Sequence, residues 1–200
     1  MKRTIKDFDL EGKKIIIRCD LNVENGVITD DTRIIASLRT IKYALRFNTK
    51  IILLSHLGKI KTEEDKKKNS LYPVAERLRE YLNTEVLFSP DTCSDRLTDM
   101  VNNMKEKSVL LIENTRFEDV PDKRESECND DLAKYWASLG DIFINDAYGT
   151  CHRNHTSITG IPKYLPSGVG FLVEKELQKI DSVLDAKTHP FIAVLGGKKV

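Results

Sequence analysis

Four cysteines in 200 residues, with no Cys-x-x-Cys pair among them, are too few and too scattered for a disulfide frame. Cys19, Cys93, Cys128 and Cys151 read instead as reduced thiols, and a cytoplasmic location is the expectation. Net charge is also lacking: 32 Lys and Arg stand against 31 Asp and Glu, leaving a formal +1. That excludes a general attraction to nucleic acid or membrane, so anion binding must come from a local cluster. No apolar run approaches the ~20 residues of a membrane span. Early basic residues in Met1 to Lys14 have no apolar segment behind them, so no secretory signal is expected. The Asn154-His155-Thr156 sequon then has no consequence. Internal repeats and low-complexity linkers are absent as well.

What is present is one pattern written four times. Ile15-Ile16-Ile17 runs into Arg18-Cys19-Asp20-Leu21-Asn22, and Ile51-Ile52-Leu53-Leu54 into Ser55-His56-Leu57-Gly58-Lys59. Val109-Leu110-Leu111-Ile112 runs into Glu113-Asn114-Thr115-Arg116, and Ile142-Phe143-Ile144 into Asn145-Asp146 and on to Arg153. Short apolar runs without alternation suit strands buried on both faces, as in parallel sheets. All strand carboxyl ends of such a sheet lie along one edge, where ligands bind, so four polar loops face one place.

Between the runs lie helical signals. Asp30-Asp31-Thr32 offers caps for a helix with Ile34, Leu38, Ile41 and Leu45 inward, after a turn at Glu24-Asn25-Gly26-Val27. Arg33 falls in that helix's first turn, where the dipole slightly disfavours a cation, which invites a functional explanation. Lys61 to Lys68 reads as a solvated loop. Leu71, Val74, Ala75, Leu78 and Leu82 make a helical stripe, Glu85 to Phe88 a short strand, and Ser94 caps a helix through Leu97, Met100, Val101 and Met104. Glu118 to Cys128 is polar and looped. Asn129 then caps a helix carrying Leu132, Trp136 and Leu139, with Gly140 placed to end it. The alternation predicts an α/β fold, a wound parallel β-sheet flanked by helices in a Rossmann-like three-layer arrangement. With 40% hydrophobic residues, one domain with an appendage is expected. After Pro162 and Pro166-Ser167-Gly168, a helix through Val173, Leu177, Ile180 and Leu184 ends near Ala186. Phe191 to Leu195 opens a fresh strand into Gly196-Gly197-Lys198-Lys199 with no helix after it, so a continuation into a second domain is expected.

The collected strand-end groups are Asp20, Asn22, His56, Lys59, Arg116, His152 and Arg153, joined by Arg33. Guanidinium forks, an imidazole and an Asp/Asn pair suit a small phosphorylated acid bearing a hydroxyl. Other chemistries fit less well. Cys151, His152 and His155 lack a second ligand group at zinc spacing. Gly168-Val169-Gly170 lacks the third glycine of a dinucleotide fingerprint, and Gly196-Gly197-Lys198-Lys199 lacks Walker spacing. Cys19 and Cys151 have no paired base that would make either a nucleophile.

These same segments resemble the amino-terminal half of the phosphoglycerate kinases, two-domain glycolytic enzymes. The resemblance is carried by Arg18-Cys19-Asp20-Leu21-Asn22-Val23, Asp31-Thr32-Arg33-Ile34, Ser55-His56-Leu57-Gly58, Glu113-Asn114-Thr115-Arg116-Phe117, Asn145-Asp146-Ala147-Tyr148-Gly149-Thr150, His152-Arg153 and Leu195-Gly196-Gly197. It implies one half of a two-domain kinase: a 3-phosphoglycerate domain over 1–172, an interdomain helix over 173–186, and the start of a nucleotide-binding domain over 187–200. It implies reversible phosphoryl transfer between 1,3-bisphosphoglycerate and ADP, with Mg²⁺ accompanying the nucleotide and bound by the missing carboxy-terminal domain. No cofactor is expected to bind these 200 residues tightly, and a monomer inactive on its own is expected. By the same resemblance Asp20, Leu21 and Asn22 hold the hydroxyl and carboxyl end of the substrate. His56, Leu57, Gly58, Lys59, Arg116 and Arg153 surround its phosphate side, while Arg33 and Lys199 neutralise the transferring group. Lys59 stands where the family usually has Arg, Ile60 and Glu24 replace prolines, and Lys198 replaces a small residue. A stand-alone binding module for a small phosphorylated metabolite is the alternative, and a purely structural role with a solvated basic edge is a third.

Overall fold

The computed structural model describes residues 2–23 and 28–184, together with Ile192, Val194 and Gly196. The expected turn at Glu24 to Val27 and the Lys198-Lys199 pair lie outside the described residues, as does most of the expected strand at Phe191 to Leu195. Six strands form one sheet: β1 (Lys14–Cys19), β2 (Lys50–Leu54), β3 (Val86–Ser89), β4 (Ser108–Ile112), β5 (Ile142–Asp146) and β6 (Ser167–Val169). Their order is β3-β4-β2-β1-β5-β6, and every pairing is parallel. Among the described residues six α-helices accompany them: α1 (Thr32–Ala44), α2 (Glu63–Lys68), α3 (Tyr72–Tyr81), α4 (Asp95–Asn102), α5 (Asp130–Ser138) and α6 (Phe171–Leu184).

The unbroken apolar runs follow from this layering. Side chains alternate across a strand, so a sheet covered on both faces must be apolar at every position. Ile15, Ile17, Ile51, Leu53, Val109, Leu111 and Ile144 point to the face covered by α1 and α3 and by Phe171 at the start of α6. Ile16, Ile52, Leu54, Leu110, Ile112 and Phe143 point the other way, to α4 and α5. Trp136 of α5 is fully buried on that second face, and its indole N–H donates to the Thr92 carbonyl at 2.7 Å.

Helix ends fall largely where the caps predict. Ser94 Oγ accepts from Leu97 N at 3.1 Å, and Asn129 Oδ1 accepts from Leu132 N at 2.9 Å. Leu45, Leu82, Met104 and Leu139 lie at or just past the ends of their helices but still pack inward. The last residue of β5 also builds a helix start: buried Asp146 accepts from Leu172 N at 2.8 Å and Val173 N at 3.3 Å. A Cβ at Gly170 would collide with that Asp146 carboxyl, so the approach needs glycine.

Two elements depart from the sequence reading. Glu63–Lys68 is a helix, not a loop, and it buries no residue. It is held by its ends: Asp65 Oδ2 accepts from Lys61 N and Thr62 N at 2.9 and 3.0 Å, and Thr62 Oγ1 accepts from Asp65 N at 3.3 Å. Three acids in its first turn and three lysines in its last also complement the helix dipole. The second departure is β6, a strand of three half-buried residues that extends the sheet beside β5. Gly168 packs so closely on Phe8 and the Arg3 carbonyl that its composition mimics a turn.

Replacing Trp136 with alanine removes the largest fully buried side chain and leaves the Thr92 carbonyl without its donor. Urea unfolding followed by far-ultraviolet circular dichroism is expected to show a loss of about 3–5 kcal/mol, and a loss below about 1 kcal/mol contradicts this packing.

Candidate functional site

The sheet parts at two places along its carboxyl edge. After β1 and β2 the chain passes to α1 and α3 on one face, whereas after β4 and β5 it passes to α5 and to the short helical segment Thr156–Gly160 that packs on α5. β2 neighbours β4 and β1 neighbours β5, so loops leave in opposite directions at both boundaries. A crevice opens where neighbouring connections diverge. Asp20 to Asn22 and Ser55 to Lys59 line one side, and Glu113 to Arg116 and Asn145 to Arg153 the other.

Buried polar side chains fix these loops. Asn114, fully buried, uses all of its amide: Oδ1 accepts from Leu57 N at 3.0 Å and Arg116 N at 3.1 Å, while Nδ2 donates to Leu57 O at 2.8 Å and Asn69 O at 2.9 Å. Ser55 Oγ accepts from Leu21 N at 3.0 Å, and Ser55 O accepts from Thr115 N at 3.0 Å. Leu21 and Leu57 are themselves fully buried in the core. Their side chains anchor the loops that carry the neighbouring polar residues. Gly58 takes a left-handed φ of +60°, and a Cβ there would strike Asn69.

Several of the expected residues are tied to one another, and Arg116 is tied across the crevice. Asn22 Oδ1 accepts from Gly58 N at 3.1 Å, and Gly58 O accepts from Arg116 Nη1 at 2.9 Å. Arg33 Nη1 meets Asp20 Oδ2 at 2.6 Å, with the Arg33 side chain half exposed. Asn22 and Arg33 line one hollow with Thr29 and Asp30. Exposed Lys59 lines a different hollow with Arg116, Lys61 and Lys123. His152 is exposed in a third hollow beside Tyr148, Gly149 and Cys151. Lys199 lies outside the described residues. Among the described residues no three His, Cys, Asp or Glu side chains are gathered to hold a metal ion.

Positive charge dominates behind these contacts. Arg18, the fifth residue of β1, is fully buried; its Nε donates to Ser157 Oγ at 2.9 Å, Nη1 donates to the Cys19 carbonyl, and Nη2 lies 3.1 Å from His56 Nδ1. A guanidinium has only donors, so His56 Nδ1 is the acceptor and Nε2 carries the ring proton. Burial, then Arg18, Arg116 and Arg153, push the His56 pKa down to about 2. Burial followed by Arg116 and Arg153 lowers His155 to about 4. Burial and Arg153 likewise hold Arg116 below its ordinary value. Asp119 and Glu125 supply counter-charge; Glu125, fully buried, accepts from Ser157 N at 2.9 Å and from Ser157 Oγ. Burial raises its carboxyl pKa, with Arg18 opposing. Arg116 Nε, Arg153 Nε and His155 Nδ1 are buried with no hydrogen-bond partner among the described residues. The two guanidinium nitrogens are orphan donors, which cost about 1–3 kcal/mol each and which an incoming anion can satisfy. Cys19 is not a nucleophile here, because burial and then Asp146 raise its thiol pKa.

A phosphoglycerate kinase family model matches residues 5–200. The chain belongs to the phosphoglycerate kinase family. It is 54% identical over 202 residues to the phosphoglycerate kinase of Enterococcus faecalis and 53% over 201 residues to that of Listeria innocua, covering all of this chain and 51% of each relative. Among solved structures, the phosphoglycerate kinase of Pyrococcus horikoshii superposes with a TM-score of 0.84 at 31% identity, over 100% of this chain and 50% of that one. That of Coxiella burnetii gives 0.80 at 32%, over 95% and 47%. The chain thus spans about half the length of the family members it matches, and its sheet is the family's fold. Arg18, Ser55, Asn114, Glu125 and Ser157 were not legible as site residues. Arg18 and Asn114 at least stand where an apolar run turns polar, but Glu125 lies in a segment whose polarity signals only a loop.

Both imidazoles are depressed below the unfolded value, so the unfolded chain binds more protons as pH falls. Their contribution to stability is complete above about pH 6.5 and is lost on acidification toward about 4 for His155 and about 2 for His56. In an NMR titration from about pH 8 to about pH 5.5, both rings are expected to keep neutral-form shifts, and a His56 midpoint above about pH 6 contradicts this electrostatic picture.

Proposed function

We propose that this chain is the 3-phosphoglycerate-binding half of a phosphoglycerate kinase, catalysing reversible phosphoryl transfer between 1,3-bisphosphoglycerate and ADP to give 3-phosphoglycerate and ATP. The observation that supports this reading best is the row of cationic and donor groups at one sheet edge, Arg18, His56, Arg116 and Arg153, with buried donors that lack acceptors. A phosphate supplies the missing acceptors. The Asp20 carboxylate and Asn22 amide sit at the end of β1, suited to the substrate's hydroxyl and carboxyl end, and the family match supports the same assignment.

The chemistry follows from charge. In the ATP-consuming direction the carboxylate of 3-phosphoglycerate is already ionised and attacks in line, so no general base is required. Neutral His56 offers Nε2–H to a phosphate oxygen at any pH where the protein works. Arg116 and Arg153 fix the far end of the substrate and thereby orient its carboxylate. Arg33 is held by Asp20 at 2.6 Å and remains half exposed, ready to exchange that partner for the transferring group. Lys199 would act from the other side of the transfer. Magnesium, when bound with the nucleotide, supplies charge neutralisation on the phosphates; the nucleotide's own site is assigned to the part of the family's length that this chain does not span. Glycolysis in the cytoplasm, and a monomer acting on small molecules, belong to the same proposal. Within the described residues no helix is long and apolar enough to cross a membrane.

Titrating the chain with 3-phosphoglycerate is expected to shift the His56 and Arg153 resonances. Arg153→Ala should weaken binding about tenfold or more, equal to about 1.4 kcal/mol, and unchanged affinity removes the assignment. In the whole protein, Arg33→Ala is expected to lower kcat about 10³-fold with little change in the KM for 3-phosphoglycerate. A variant that raises only KM shows instead that Arg33 serves ground-state binding.

A further inference from the structure

One fully buried carboxylate lies behind the crevice, out of reach of substrate. Glu125 is fully buried, in the stretch between the segment Thr115–Asp119 and α5. Its carboxylate accepts both the backbone N–H and the hydroxyl of Ser157, and its backbone carbonyl accepts Thr156 N at 2.9 Å. With its hydrogen given to Glu125, the Ser157 oxygen is left as an acceptor, and Arg18 Nε donates to it at 2.9 Å. Arg18 Nη2 in turn donates toward His56 Nδ1 at 3.1 Å. Each link has a fixed direction: Ser157 donates to Glu125, and Arg18 donates both to Ser157 and to His56, because a carboxylate only accepts and a guanidinium only donates. His155 also reports to this group, its Nδ1 lying 3.8 Å from Glu125 Oε1.

We propose that Glu125 is a positioning residue for the crevice: through the Ser157 hydroxyl and the Arg18 guanidinium it holds His56 as the Nε2–H tautomer, leaving that N–H as the ring's donor to a phosphate oxygen. The ligand part of this inference rests on the reading of the crevice as a 3-phosphoglycerate site, whereas the tautomer part stands without it. The carboxylate does two jobs that an amide cannot. It accepts at both oxygens, which fixes the direction of the Ser157 hydroxyl, and it supplies negative charge beside a guanidinium that burial would otherwise destabilise. An amide in its place presents an NH₂ to Ser157, reverses the hydroxyl and releases the guanidinium from its plane. Such outer partners of a binding group typically contribute about 10- to 100-fold in affinity where they have been removed from metal sites.

The test is long-range proton–nitrogen correlation of the histidine rings in the ligand-free, ¹⁵N-labelled chain, for the wild type, Glu125→Gln and Ser157→Ala. Expected are a single Nε2–H tautomer of His56 in the wild type and a measurable Nδ1–H population in both variants. With 3-phosphoglycerate as probe, Kd rises about tenfold in each. A purely structural role lowers stability in both variants and leaves the tautomer untouched, so an unchanged His56 ring in a folded variant overturns the proposal. Ser157→Ala keeps the buried charge and the backbone bond to it but removes the hydroxyl's two hydrogen bonds, to Glu125 and from Arg18, so it decides the matter if Glu125→Gln does not fold. An Nδ1–H ring in the wild type overturns the proposal directly. Absence of 3-phosphoglycerate binding by the wild type defeats the functional reading instead, and the tautomer comparison is then judged alone.

Discussion

The structure is governed by repulsion among like groups held close together. Arg18, Arg116 and Arg153 crowd around two imidazoles, and each raises the free energy of protonating them. Such a cluster is unfavourable unless something holds it, and the fold supplies one buried carboxylate, Glu125, together with rigid backbone on every side. The residual imbalance is visible as buried nitrogen donors with no acceptor. A surplus of oriented donors in a region shielded from water is suited to a small dianion, since the reorganisation has been completed during folding.

Rigidity comes from the sheet's connections and from one asparagine. Because neighbouring strands send their chains to opposite faces, the loops splay apart and leave a crevice, which would otherwise be filled by loop on loop. Asn114 then joins the connections after β4 and β2 by three hydrogen bonds and holds Arg116 N of its own loop by a fourth, so Arg116 is tied to the position of Leu57. At the far end Asp146 links β5 to the start of α6, coupling the edge of the site to the helix that follows. Motion is left to Arg33, whose only ion-pair partner among the described residues is Asp20, within the site itself.

Much of this was legible in the sequence because burial on both faces leaves a strong mark. Ile15 to Ile17, Ile51 to Leu54, Val109 to Ile112 and Ile142 to Ile144 are strands with no alternation, and the polar residues directly after each are the crevice residues. The helix at Glu63–Lys68 escaped because it buries nothing, so no periodicity marks it and only capping and charge order sustain it. The strand at Ser167–Val169 escaped because a close approach to Phe8 selects glycine, which reads as a turn. Leu21 and Leu57 were assigned to the ligand by the family resemblance; their side chains lie in the core and anchor the loops that carry their polar neighbours. Glu125 could not be found by pattern at all: a buried carboxylate in a loop differs from a solvated one only through contacts distant in sequence, here with Ser157 and Arg18.

The central claim is that one small anion is held jointly by side chains from separate strand ends. A crystal structure of the chain soaked with 3-phosphoglycerate tests it most directly. The account predicts one molecule in the crevice, its phosphate oxygens within hydrogen-bond reach of His56 Nε2, Arg116 and Arg153 and its other end at Asp20 and Asn22. A saturating soak that leaves the crevice without ligand, or that places the phosphate only in the hollow at Lys59 and Lys123, contradicts it.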